Sequence, residues 1–210
     1  MTNEVQLKHL LLQGCEFLQL DLSELQLNQL LTYVQLLVKW NKVYNLTSVR
    51  DPQEMISRHI LDSLAVLAYL SGNTLLDIGT GAGLPGIPVA IAKPDMAVTL
   101  LDSNSKKTRF LQQVKSELAL TNISVVHARV EQANLPKFTT VIARAFSTID
   151  VIIDLAGRHC DDAGSLVLMK GVYPQQELAA NIEGFSVQDV VSLDVPNCEG
   201  KRHLVRLIKN

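Results

Sequence analysis

The sequence is short of aromatic side chains, of cysteine and of positive charge. Phe, Trp and Tyr make up 5% of its 210 residues, with one tryptophan. The three cysteines, Cys15, Cys160 and Cys198, are odd in number and widely spaced. Such spacing supports neither a disulfide framework nor a metal signature, and fits free thiols in a reducing compartment. Nineteen Lys and Arg stand against 21 Asp and Glu, a formal net charge of −2. A protein that coats nucleic acid without selectivity is usually basic, so function must lie in local sites rather than in the overall field. No run approaches the roughly 18 unbroken apolar residues of a membrane span. The first residues carry an early acid, Glu4, and no small-residue cleavage site, so no secretory signal is expected. These absences predict a cytoplasmic chain with no metal and no membrane contact. Nothing in the pattern demands a dimer, and a monomer is expected.

What is present suits one full-sized domain with a small appendage. The hydrophobic period changes near residue 73. Before it the pattern is helical: Leu22, Leu25, Leu30, Val34, Leu36, Leu37 and Trp40 recur at spacings near three and four. Ser23 and Gln26 have the spacing of a capping box. Asp51-Pro52-Gln53-Glu54 offers an N-cap, a proline at N1 and a glutamate at N3. The helix it opens carries Ile56, Ile60, Leu64 and Leu67 on one face and is expected to end near Ser71-Gly72. Residues 1–72 therefore read as a helical extension, with three helices.

Residues 73–210 alternate short apolar runs with helical patterns. Strands are predicted at Thr74–Ile78, Ala97–Leu101, Ile123–His127, Thr140–Ala143 and Ser165–Met169. Helices are predicted around Pro88–Lys93 and at Ser105–Leu118, Asp150–His159 and Gln175–Ile182. That alternation implies an α/β fold with a mostly parallel sheet covered on both faces. Two final strands, near Phe185–Val195 and Arg202–Ile208, have no helix between them and read as a C-terminal antiparallel hairpin. Extension and core are expected to form one compact unit.

The segment Asp77-Ile78-Gly79-Thr80-Gly81-Ala82-Gly83-Leu84-Pro85-Gly86 joins the first strand to the next helix. In an open parallel sheet, ligands bind beyond the carboxyl ends of the strands. Glycines let the backbone turn tightly and approach a ligand. Gly81 to Gly86 also match the dinucleotide fingerprint G-x-G-x-x-G, so an NAD-dependent oxidoreductase competes. Charge favours another ligand. Asp77 would repel a pyrophosphate lying against the helix start. S-adenosylmethionine instead brings an ammonium and a sulfonium, which a nearby carboxylate favours by direct pairing or through water. The second strand ends in Asp102, placed to accept the ribose hydroxyl protons of either cofactor. Val130 and Glu131 follow the third strand, where they either read the adenine edge or form an ordinary polar turn.

Several stretches resemble a known family. They are Trp40-Asn41-Lys42-Val43-Tyr44-Asn45-Leu46-Thr47, Arg58-His59-Ile60-Leu61-Asp62-Ser63-Leu64 and the glycine-rich loop through Pro88. Val141-Ile142-Ala143-Arg144-Ala145, Met169-Lys170-Gly171 and Arg202-His203-Leu204-Val205 match as well. In these the chain resembles the RsmG or GidB (glucose-inhibited division protein B) family, bacterial methyltransferases of 16S ribosomal RNA. The resemblance covers nearly the whole chain in order. It implies a class I (Rossmann-like) methyltransferase fold, S-adenosylmethionine as cofactor, and methylation of one guanine at N7. It also carries cofactor contacts over to Gly79, Leu84, Val130, Glu131 and Arg144.

Guanine N7 has a free lone pair and no proton to lose, so no general base is expected and catalysis rests on positioning. Arg144 and Lys170 end the fourth and fifth strands and are expected to face the substrate. Asn45, Arg58 and His59 are further positioning candidates, with helix capping the alternative for Asn45 and a structural role the alternative for His59. Lys201, Arg202 and Arg206 form a basic C-terminal group, either RNA-binding or plain surface charge. Lys106, Lys107 and Arg109 read as the solvated face of a helix. The partner implied is 16S ribosomal RNA, free or in the 30S subunit. A methyltransferase of another RNA, a small molecule or a protein, and a nucleotide-binding regulatory module, remain open on the residues alone.

Overall fold

The computed structural model describes residues 3–179 and 182–210. Helices α1 (Asn3–Phe17) and α2 (Glu24–Tyr44) open the chain. The capping box is formed: Gln26 N donates to Ser23 Oγ, and Ser23 N to Gln26 Oε1. Gln26 also donates from Nε2 to Ile91 O at 2.8 Å and Ala92 O at 3.2 Å, so one side chain starts α2 and satisfies carbonyls of another helix. The buried stripe of α2 includes Leu30, Tyr33, Val34 and Leu37. Leu25, expected on that stripe, is 69% exposed, because it sits in the first turn on the opposite side.

The third helix differs from the expectation of one uniform α-helix. It begins as α3 (Pro52–Met55), capped by Asp51, widens into a π-helix over Ile56–Leu61, and tightens again as α4 (Asp62–Leu64). A 3₁₀ turn at Leu67–Tyr69 follows. π-Segments shift the side-chain register and occur often at functional sites. Here Ile56, Ile60 and Leu64 are still buried, while Asp62 is turned toward the sheet.

The core strands are β1 (Thr74–Ile78), β2 (Ala97–Asp102), β3 (Ile123–His127), β4 (Phe138–Arg144), β5 (Cys160–Lys170), β6 (Phe185–Ser192) and β7 (His203–Lys209). They form one sheet in the order β3-β2-β1-β4-β5-β7-β6. The first five are parallel, and β7 runs antiparallel to both β5 and β6. The hairpin thus joins the sheet through its second strand. β4 and β5 extend beyond the stretches read as apolar runs, and the cause is pairing: Phe138 aligns with Cys160, and both side chains are buried.

Helices α5 (Gly86–Ala92), α6 (Ser105–Glu117), α7 (Ile149–Ala156) and α8 (Gln175–Leu178) cover the sheet. α5 starts two residues earlier than expected, and α8 is shorter than the predicted Gln175–Ile182, of which residues 180 and 181 lie outside the described residues. One sheet face, with Leu75, Leu100 and Ile142, shares a core with residues of α1 and α2 such as Leu11, Leu30 and Leu37. The other face, with Leu76, Ile78 and Leu168, packs against Ile149 and Ile152 of α7. Among the described residues no helix is long and apolar enough to cross a membrane.

Candidate active site

The sheet reverses its strand order between β1 and β4. A crevice at such a switch point is the expected place for a ligand. Two adjoining chambers of about 400 Å³ each lie there. One is lined by Asp102, Lys107, Val130 and Glu131, the other by Leu84, Arg144, Lys170 and Arg202; Gly79 and Phe146 belong to both. Because β7 is antiparallel, its first residue, His203, reaches the same rim as the last residue of β5, Lys170.

Gly79, Gly81 and Gly83 have φ of 62°, 63° and 94°, a region that non-glycine residues populate only at a cost. Asp77 holds the loop from beneath. Its Oδ2 accepts from Thr80 Oγ1 at 2.6 Å and from Gly86 N at 2.8 Å. Tyr33 Oη, from α2, donates to Ala82 O at 2.7 Å. Asp77 is 0% exposed, and its hydrogen bonds run to the loop itself, so it serves as a buried tether of the loop. Burial pushes its carboxyl up to about 7, against the downward pull of Thr80, Gly86 and Arg144, with Asp102 adding to the rise. Its Oδ1 is buried without a hydrogen-bond partner.

This arrangement discriminates between the two cofactor classes. The first amides of α5 are already engaged: Gly86 N by Asp77, and Ile87 N by Gly83 O at 2.7 Å. A pyrophosphate there would meet a buried carboxylate and find those donors taken. A cationic ligand would instead relieve a carboxylate that burial has left half-satisfied. The residues therefore fit S-adenosylmethionine and oppose a dinucleotide.

Asp102 closes the first chamber. It accepts from Gly81 N at 2.9 Å and Asn104 N at 2.8 Å, and Lys107 Nζ lies 3.6 Å from it. Lys107 is thus part of the chamber wall rather than solvated helix surface. Sequence spacing missed it because the start of α6 points back at the end of β2. Val130 and Glu131 lie in a 3₁₀ turn on the opposite wall. The Val130 carbonyl already accepts from Arg158 Nη2 at 3.0 Å, and the half-exposed Glu131 pairs loosely with Arg129.

The second chamber is organised by a residue the sequence reading passed over. Asp62 is buried, with Oδ2 accepting from Arg144 Nη1 at 2.9 Å and Oδ1 from Arg202 Nε at 3.2 Å. One carboxylate thus joins the π-helical turn, the end of β4 and the approach to β7. The signal in the sequence is an acid four residues after Arg58, between the apolar residues Ile60, Leu61 and Leu64. Lys170 also lines the chamber, but its ammonium is held by Glu177 Oε2 and Ser147 O, both at 2.8 Å. It fastens the segment after β4, and Glu177 secures it further by accepting from Ile149 N at 2.8 Å.

Other expected residues stand elsewhere. Asn45 ends α2 in a left-handed conformation, and its Oδ1 accepts from Arg50 at 2.6 Å; it is a cap, not a chamber residue. The Arg58 side chain points outward to Glu54 at 3.2 Å, and only its carbonyl serves the site, accepting from Arg144. His59 is buried and touches the chamber through Thr47. Its Nδ1 must donate to Arg58 O (2.9 Å), so Nε2 accepts from Thr47 Oγ1 at 2.8 Å. Burial, with Arg144 nearby, lowers its pKa to about 4, so the ring is neutral. The three C-terminal cations do not act as one group. Arg202 enters the chamber wall and Lys201 stays exposed, whereas Arg206 is bound to Asp189 on the neighbouring strand. Among the described residues no three His, Cys, Asp or Glu side chains are placed to hold a metal.

Comparison with known proteins agrees with this geometry. The chain is 50% identical over 199 residues to the ribosomal RNA small subunit methyltransferase G of Pseudomonas syringae pv. tomato, covering 92% of each. It is 51% identical over 182 residues to the protein of the same name from Xanthomonas campestris pv. campestris, covering 86% of each. Solved structures share the fold at low identity. A SAM-dependent methyltransferase from Aquifex aeolicus matches with TM-score 0.58 at 18% identity, over 78% of this chain and 97% of that one. The mitomycin 7-O-methyltransferase MmcR matches with TM-score 0.65 at 14% identity, over 85% and 60%. The family model GidB, rRNA small subunit methyltransferase G, matches residues 26–205, and the chain belongs to that family.

Proposed function

We propose that this chain transfers the methyl group of S-adenosylmethionine to N7 of one guanine in 16S ribosomal RNA. The observation that carries the reading is the double chamber at the switch point, with an acidic end at Asp102 and a mouth bearing Arg144, Arg202 and Lys170. The adenosine half fits the chamber of Asp102, Val130 and Glu131. The methionine half fits the stretch past Gly79, Gly81 and Leu84 toward Arg144. When bound, the cofactor supplies an electrophilic methyl on a sulfonium. The chain's own residues supply position: N7 needs no base, and the neutral His59 holds Thr47 in place rather than accepting a proton. Arg202 and the exposed Lys201 suit phosphate contacts, which fix register without reading sequence. Residues 1–72 act as an extension that completes the mouth through Thr47 and Asp62, and residues 73–210 as the cofactor core.

The substrate is read as RNA presented within the 30S subunit or a precursor, since a chain of net charge −2 has little field with which to hold free RNA. The enzyme is read as a cytoplasmic monomer. The test is transfer of a tritiated methyl to unmodified 30S subunits and to naked 16S RNA, followed by mapping of the modified base. Labelling at guanine N7 is the expected result. Label on another base, or on protein, overturns the reading.

A further inference from the structure

Among the described residues four aromatic side chains are exposed, Phe17, Tyr44, Phe146 and Tyr173, and of these only Phe146 lines the chambers. It follows β4 by two residues and is 37% exposed. Its ring lies against Gly79: a Cβ built on that glycine would fall 2.3 Å from Phe146 Cδ2. Phe146 therefore stands where the two chambers meet, and a ligand spanning both must displace the ring or pass beneath it. The backbone on either side is suited to such a movement. Ala145 has a φ of 49°, a left-handed conformation that a non-glycine residue readily leaves. Beyond Phe146 the chain is pinned, through Ser147 O to Lys170 and Ile149 N to Glu177. A strained residue before and a fixed anchor after leave Phe146 as the segment that can turn.

We propose that Phe146 is the stacking residue for the target base, leaving Gly79 when the cofactor fills the cleft and laying its face on the guanine. This rests on the reading of the chain as a guanine-N7 methyltransferase. The chemistry explains why an aromatic is needed. In the reaction the bond from sulfur to the methyl breaks as the bond from methyl to N7 forms. No proton moves, and the positive charge passes from the sulfonium to the purine. An aromatic face attracts a cation more than a neutral ring. Stacking on Phe146 thus strengthens as the charge arrives, which favours the transition state over the bound ground state. Bases displayed out of a helix are commonly held on aromatic side chains.

The test compares Phe146→Leu, Phe146→Ala and Phe146→Trp by single-turnover methyl transfer at saturating cofactor and 30S subunits. Cofactor affinity is measured separately by calorimetry. Leucine keeps the bulk and removes the π face, so Phe146→Leu should slow transfer about tenfold, with Phe146→Ala slower still. Phe146→Trp should stay within about threefold of the unmodified protein. Phe146→Leu and Phe146→Ala should bind S-adenosylmethionine at least as well as the unmodified protein, since no ring then has to be moved from Gly79. A wild-type rate for Phe146→Leu, or rate losses that track cofactor affinity, overturns the proposal. Absence of any methyl transfer by the unmodified protein overturns the functional reading instead.

Discussion

The two chambers of the cleft are built in opposite ways. The chamber of Asp102 draws most of its walls from the stretch Gly79 to Glu131, with the ends of β1, β2 and β3 side by side and Phe146 and Leu155 added from beyond β4. The mouth is assembled from remote pieces: Arg144 meets Asp62 across 82 residues of sequence, and Arg202 meets it across 140. The first half is shaped by glycine conformations and a buried tether. The second is held by ion pairs that exist only once the extension, β4 and β7 have met. Damage to the first should therefore appear in cofactor binding, and damage to the second in stability and target handling.

The largest effect should come from Asp62→Ala. Removing one partner of a buried ion pair leaves uncompensated charge, here on two arginines, and should cost about 3 kcal/mol in denaturant unfolding. Cofactor affinity should fall far less than after Asp77→Ala. An unchanged unfolding midpoint would remove Asp62 as the tie between the pieces. Asp77→Ala frees Thr80 and Gly86 together, and calorimetry should show S-adenosylmethionine affinity reduced about 100-fold. A folded Asp77→Ala protein with normal affinity would mean that the loop keeps its shape without the tether.

Acidity gives a finer contrast. The Asp77 carboxyl titrates near 7 because burial disfavours its charge. A cationic ligand above the loop favours the charged form, so binding releases a proton and affinity rises with pH. Between pH 6 and 8 the rise should be about tenfold and should vanish in Asp77→Asn. Affinity that falls over that range would contradict a cationic ligand. The smallest effect concerns the mouth. Lys170→Ala and Glu177→Ala should each slow methyl transfer with cofactor affinity unchanged, and the double variant should be no slower than either single one. The coupling should be about 1 kcal/mol. Additive losses would mean that Lys170 acts on the RNA directly and not through the segment after β4.

Legibility in the sequence followed the same division. The strands at Thr74–Ile78 and Ile123–His127, the cap at Asp51 and the capping box at Ser23 were all readable, because each depends on neighbours within a few residues. So were the positions of Gly79, just after β1, and Asp102, at the end of β2. Lys107 was misread as surface because only the packing of α6 on β2 turns it toward Asp102. Arg58 and His59 were in the correct motif, yet the π-helical turn presents Asp62 to the chamber in their place. Arg206 was grouped with Arg202, although strand pairing sets it against Asp189.

By itself the sequence determined the alternation of strands and helices and the place of the glycine-rich loop, since periodicity, capping and glycine conformation are local, while the family rested on the resemblance of its motifs. Only the tertiary structure decided which charges are free. Asp77 is sealed beneath the loop, Lys170 is bound to Glu177, and Arg144 and Arg202 converge on one buried carboxylate. The physical reason is that a side chain's electrostatic role depends on its burial and its partner, and both are fixed by contacts between residues far apart in the chain.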